Sequence, residues 1–220
     1  LLRLLQAAPA EAARRAVQRS GTPLGEAPLR GLRFGAPADD GLAALRQWAA
    51  ATGRDALASA CACFADTTPI DGRVRVLGGP TGESNLYALQ PRDAVLCLAD
   101  GEADRLLQLA AVLAVGGHAL WPAADAALLA ALPVALRLRV RQVQDWTRAE
   151  AHFDAVLLHG VAARRREVAA RLAQRSGPIV LLHAFDAGDA RIALERLVVE
   201  RSLSINTAAA GGNASLMAIG

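Results

Sequence analysis

Apolar residues recur along this chain in two rhythms, and the change between them marks its organisation. Residues 2–20 place leucine, alanine and valine at helical spacing up to Ser20-Gly21, which predicts an amphipathic helix. Residues 21–40 are rich in Gly, Pro and Asp and read as a linker or extended loop. Residues 41–63 return to the helical period, with Leu42, Leu45, Trp48 and Ala49 on one stripe. Pro69 and the Asp71-Gly72 pair break that pattern. A short strand at 74–77 and another at 86–89 flank a glycine-rich turn that begins at Gly78.

From Ala94 onward short apolar runs alternate with longer amphipathic segments. The run Ala94-Val95-Leu96-Cys97-Leu98-Ala99 has no polar position, as expected of a strand covered on both faces. A helix over 102–115 with Leu106, Leu109 and Leu113 inward ends at Gly116-Gly117. A strand at 118–121, a short helix near 124–131 and an alternating, half-exposed edge strand at 134–140 follow. A buried strand at 153–158, a helix over 161–175 stopped by Gly177-Pro178, a strand at 179–182 and a helix over 189–200 complete the series. Strands alternating with helices at this spacing predict an α/β fold with a doubly wound, mostly parallel Rossmann-like sheet of about five core strands. The expected division is a helical connector over 1–72, the Rossmann-like domain over 73–200 and a separate terminal segment over 201–220. That last segment starts as a strand and becomes small residues able to lie flat against another surface. Within it Leu216, Met217 and Ile219 are apolar and favour a groove over solvent.

Composition narrows the chemistry. With 53% hydrophobic and 20% charged residues the chain can bury a core, and with only 4% aromatics that core is built from alanine and leucine. All 24 basic residues are arginines, so neither a lysine Schiff base nor a P-loop lysine is available. A net charge of +3 without aromatic platforms gives no nucleic-acid surface. The three cysteines, Cys61, Cys63 and Cys97, make neither a disulfide framework nor a metal set and fit a reduced, cytoplasmic setting. The opening apolar stretch is too short and too soon charged for a signal peptide or a membrane span. The sequence begins at Leu1 and its single methionine is Met217, so a piece of a longer chain is expected.

A Rossmann-like sheet invites a dinucleotide, but the phosphate-binding turns are missing. The turn after the first core strand reads Asp100-Gly101-Glu102-Ala103-Asp104, with three carboxylates where a pyrophosphate needs amides and positive potential. After the 153–158 strand, His159-Gly160-Val161 offers one glycine, which is a turn and not a cradle. The arginines at 164, 165, 166, 171 and 175 read as a solvated helix face, with Glu167 and Arg171 spaced for a surface pair. His118, His152, His159 and His183 read as core or rim histidines, and Ser176 has no nucleophile elbow to make a triad with His183 and Asp186. Cys97 lies mid-strand, where a thiol is an inert hydrophobe.

Two stretches carry a family signature. Gly79-Pro80-Thr81-Gly82-Glu83-Ser84-Asn85-Leu86-Tyr87-Ala88-Leu89-Gln90-Pro91-Arg92-Asp93, continuing into the strand at 94–99, resembles part of the C-terminal region of long proline utilization A proteins. Glu200-Arg201-Ser202-Leu203-Ser204-Ile205-Asn206-Thr207 through Gly220 resembles the C-terminal motif of the same family. The resemblance implies a bifunctional parent enzyme that oxidises proline with FAD and glutamate semialdehyde with NAD. It implies a cytoplasmic parent, peripheral at the inner membrane in some settings. The present segment would then be an aldehyde dehydrogenase-like domain with no catalytic residue, cofactor or metal of its own. Trp121-Pro122 stands where such dehydrogenases carry a ribose-binding lysine, Gly160-Val161 replaces the Gly-Ser at the pyrophosphate helix, and Leu182-His183 replaces the glutamate base. The partner implied is the dehydrogenase domain of the same polypeptide, with a tail covering its active site and tunnel. The residues expected at that interface are Asn206, Thr207, Gly211, Gly212, Asn213, Ser215, Leu216 and Met217. Two alternatives remain: an NAD-binding part of the dehydrogenase itself, or an oligomerisation module pairing through an exposed strand at Leu86 to form a homo-oligomer.

Overall fold

A computed structural model of the chain describes residues 40–69, 74–78 and 83–206. The expected helix at 2–20, the linker at 21–40 apart from Asp40, and the tail from Thr207 to Gly220 lie outside the described residues.

The chain divides into two compact units. The larger contains a five-stranded sheet ordered β5-β4-β3-β6-β7, built from β3 (Val95–Ala99), β4 (Ala119–Pro122), β5 (Val140–Val143), β6 (Ala155–His159) and β7 (Leu181–Phe185). Every pairing is parallel, with Leu96 opposite Val156 and Leu98 opposite Leu158 at the centre. The order moves outward from β3 in one direction and from β6 in the other, so the β3/β6 junction is the topological switch point. The parallel, doubly wound α/β architecture expected from the sequence is present.

One face of the sheet holds Leu96, Leu98, Val156 and Leu158 against Trp146, Phe153 and Val168. Val168 comes from α6 (Ala162–Ala173). The other face is covered by α3 (Glu102–Ala114), which itself lies under the hairpin of α1 (Gly41–Ala51) and α2 (Asp55–Thr67). That second cover explains why ten consecutive residues of α3, Asp104 to Leu113, are buried. Each large core leucine contributes about 1.5–3 kcal/mol relative to an exposed position. Arg54 tethers the hairpin, with its guanidinium 4.7 Å over the Trp48 ring and 2.7 Å from Glu102 at the start of α3.

The smaller unit contains a three-stranded sheet, β1-β2-β8, from β1 (Arg75–Leu77), β2 (Glu83–Pro91) and β8 (Val198–Asn206). β1 and β2 are antiparallel, with Val76 opposite Leu86, and Ser204 Oγ lies 2.5 Å from Asn85 Oδ1 between β8 and β2.

Four expectations are corrected. Residues 41–63 form two helices, because the chain turns at Gly53 in the left-handed region (φ +69°). Residues 134–140 are a helical turn, α5 (Val134–Arg137), followed by β5. Leu132, Leu136 and Val140 are buried at i, i+4 spacing while Val134 and Leu138 face out, so the apparent alternation is half of a helical pattern. Residues 189–200 are not a helix: a 3-10 turn at Leu194–Leu197 leads into β8. The carbonyls of Arg196 and Leu197 accept from Arg92 instead of from a following turn. The fourth is the free strand edge expected at Leu86: β2 is central, with β1 and β8 on its two sides.

Candidate functional site

The place to look for a ligand on this scaffold is the crevice beyond the carboxyl ends of β3 and β6. It is lined by the chain's own polar groups, bonded to one another and to the strand ends. α3 begins at Gly101, whose extended backbone (φ −111°, ψ 150°) lets the helix start directly beneath this edge. Arg105, one turn in, is 5% exposed. Its guanidinium donates to the carbonyls of Cys97 (2.8 Å) and Ala99 (2.7 Å) and pairs with Asp125. Burial pulls the Arg105 pKa down, and Asp125 is the main opposing influence that keeps the cation.

One turn further along α3 sits Gln108, fully buried. Its Nε2 donates to the Leu98 carbonyl and to Nδ1 of His159, both at 2.8 Å. An amide nitrogen has only hydrogens to offer, so His159 Nδ1 must be an acceptor and the ring proton lies on Nε2. Nε2 in turn donates to the Asp189 carbonyl at 2.9 Å. The imidazole is thereby held between Gln108 and Asp189 and stacked on Phe185 with 5.0 Å between centroids.

The loop after β7 closes the top. Asp104 Oδ1 accepts from Gly188 N at 2.9 Å, and Gly188 adopts φ +79°. Asp189 takes the backbone N–H and guanidinium of Arg191, which hold its carboxyl at about 2. At β6's end, a Cβ on Gly160 would meet Asp100 Oδ2 at 3.4 Å and Arg164 Cγ at 3.3 Å. Asp100 therefore stands beside the one glycine a phosphate would approach. Arg165 donates to the Gly160 carbonyl at 2.9 Å and pairs with Asp186.

The residues singled out from sequence fall in several places. Asp100 lies beside Gly160 and Asp104 bonds Gly188 at the switch point, whereas the Glu102 carboxylate pairs with Arg54 of the α1–α2 hairpin. Trp121 is fully buried in β4, and His183 in β7 is 7% exposed with Nδ1 3.3 Å from Arg196. Cys97 is buried, which pushes its thiol up to about 12, and burial pushes Cys61 to about 11. Asn206 ends β8, whereas Thr207, Gly211, Gly212, Asn213, Ser215, Leu216 and Met217 lie outside the described residues. Arg105, Gln108 and the 186–191 loop were not anticipated. The available signal was a pair of long polar residues three apart on the face of α3 that otherwise carries leucine. Among the described residues there is no cluster of three metal-ligating side chains, and no helix is long and apolar enough to cross a membrane.

No family model matches the sequence. Among curated proteins, the chain is 52% identical over 181 residues to the bifunctional protein PutA of Salmonella typhimurium, covering 81% of this chain and 14% of that protein. It is 48% identical to the protein of the same name from Escherichia coli K12 over the same shares. Against that of Rhizobium meliloti it is 45% identical over 66% of this chain and 12% of the relative. A solved proline utilization A structure with proline bound in remote sites superposes at a TM-score of 0.48 with 23% identity, over 89% of this chain and 25% of that one. A putative aldehyde dehydrogenase PutA from Anabaena variabilis gives 0.47 with 14% identity, over 66% and 38%. The chain spans about a seventh of the curated relatives it matches, and at this level of identity it belongs to the proline utilization A family, the bifunctional PutA proteins.

Proposed function

We propose that this chain is the C-terminal, non-catalytic, aldehyde dehydrogenase-like part of a bifunctional proline-catabolic enzyme. In the whole protein FAD would serve proline oxidation and NAD the oxidation of glutamate semialdehyde, both in other domains. The residues after β8, from Asn206 to Gly220, would cover the dehydrogenase cavity and the tunnel that delivers the semialdehyde to it. The benefit is retention: a reactive aldehyde escapes less often from a closed chamber.

The observation that supports the non-catalytic part is the set of polar groups already engaged at the switch point. A nicotinamide dinucleotide does not fit these residues. Its pyrophosphate would meet the Asp100 carboxylate beside Gly160, and the α3 N-terminus already carries Glu102 and Asp104. The groups that could have turned toward a ligand are engaged in Arg105–Asp125, Gln108–His159 and Asp104–Gly188 contacts.

Two experiments test the reading. Calorimetric titration of this 220-residue chain with millimolar NAD should give no binding heat, and a saturable isotherm would overturn the cofactor-free assignment. Deleting 206–220 from the full-length protein should lower semialdehyde oxidation and the coupled conversion of proline to glutamate. Unchanged rates in both assays would remove the covering role.

A further inference from the structure

One stretch of the larger unit does not look like a surface built for water. Between β4 and β5 the chain forms α4 (Ala126–Ala131) and α5, joined by Leu132-Pro133. Leu132 and Leu136 are buried and anchor the two helices. On the outward side stand Ala127, Ala130, Ala131, Val134, Ala135 and Leu138, all exposed, with Val134 at 68% and Leu138 at 76%. The spacing of Ala127, Ala130 and Ala131, and of Val134 and Leu138, places each set on one helical face. The only carboxylate from 123 to 138 is Asp125, which is already paired with Arg105.

The same domain shows what its water-facing helices look like. α6 covers the opposite side of the sheet and carries Arg164, Arg165, Arg166, Glu167 and Arg171, with ion pairs among them. A helix that meets solvent is charged on its outer face, and a contiguous apolar face marks a partner. The charges that follow the α4–α5 face in sequence have one sign. Arg137, Arg139 and Arg141 follow it, and no aspartate or glutamate occurs from 126 to 144. Small alanine side chains allow a close approach of another backbone, and these arginines select for carboxylates around the contact.

The matched relatives extend far beyond this segment, which covers 14% of the Salmonella protein. We propose that the α4–α5 face is a docking surface for an apolar, carboxylate-bordered patch on a part of the same polypeptide outside these 220 residues. It deepens the reading above by assigning a contact surface other than the tail, and it rests on that reading only in treating this chain as part of a longer protein.

The test uses the full-length protein with Leu138→Cys, and Ala135→Cys as the milder second variant, each labelled with a water-soluble maleimide. Arg166→Cys on α6 is the solvent-facing reference. Protection of at least tenfold at position 138 or 135 relative to position 166, independent of protein concentration and abolished in urea, is the expected result. Labelling at the reference rate overturns the proposal. So does protection that disappears on dilution, which would identify a second copy as the occupant. Removal of 206–220 leaves this protection in place, so the covering role of the tail and the docking face fail or stand separately.

Discussion

Gln108→Leu tests whether the switch point is held together as the hydrogen bonds indicate. The substitution keeps a branched side chain of similar reach in a fully buried position and removes the donor to the Leu98 carbonyl and to His159 Nδ1. Losing two hydrogen bonds costs about 0.5–1.5 kcal/mol each, and stranding the buried Nδ1 acceptor costs about 1–3 kcal/mol. Part of this is offset because Gln108 Oε1 has no partner in the native structure, so one buried unsatisfied atom also disappears. The expected net loss is about 2–3 kcal/mol. His159→Phe keeps the stack on Phe185, loses the bond to Asp189 and strands one Gln108 hydrogen, for a loss of about 1–3 kcal/mol. The double variant strands neither partner. It should therefore be more stable than the sum of the single losses predicts by about 1–2 kcal/mol. Urea unfolding of this chain followed by tryptophan fluorescence reports the change, because Trp121 and Trp146 lie buried on the same sheet. A Gln108→Leu loss below about 0.5 kcal/mol, or strictly additive singles, would refute both the tautomer assignment and the pinning role of α3.

Three further outcomes follow from other parts of the structure. In the native chain a thiol reagent at pH 8 should modify Cys63, which is exposed, while Cys61 and Cys97 react only after unfolding because burial holds their thiols near 11 and 12; rapid native labelling of Cys97 would contradict the packed strand. Burial, with Arg196 and Arg92 nearby, lowers the pKa of His183 below its ordinary 6.5, so the unfolded chain takes up this proton first as pH falls. Its contribution is complete above about 6.5 and declines as pH drops toward the folded value, so the urea midpoint of the wild type should fall more between pH 7.5 and 5.5 than that of His183→Gln, and parallel curves would dispose of the assignment. Arg105→Met should cost about 3–5 kcal/mol, since it leaves Asp125 and two carbonyl ends without their cation, and a loss under 1 kcal/mol by the same urea assay would show that the ion pair is not structural.

The strands of the main sheet are legible because parallel strands covered on both faces need uninterrupted apolar runs, and β3 and β6 have them. The helix α3 is legible from its leucines for the same reason. Segments at the rim are not. Leu132, Leu136 and Val140 satisfy a helical spacing, whereas Val134, Leu136, Leu138 and Val140 satisfy a strand spacing, and only burial separates the two. The turn at 194–197 reads as helix until Arg92 is known to take its carbonyls, a contact spanning about a hundred residues that local pattern cannot contain. At the candidate site, the acidic turn at 100–104 is visible in the sequence, but its meaning depends on partners far along the chain, such as Gly188 for Asp104 and Arg54 for Glu102.

Why a scaffold proposed to bind no nucleotide should keep so many polar groups at its switch point follows from the geometry of parallel sheets. Strand ends at the crevice expose carbonyls that the ladder does not use, and a bound ligand can help to cover such an edge and satisfy its polar groups. Here Arg105 and Gln108 reach back from α3 to the carbonyls of Cys97, Leu98 and Ala99, and the 186–191 loop is drawn down by Asp104 and His159. Apolar residues in their place would forfeit these side-chain bonds, at about 0.5–1.5 kcal/mol each. Under the proposed cofactor-free role, this polar network holds the crevice edge together from within the chain.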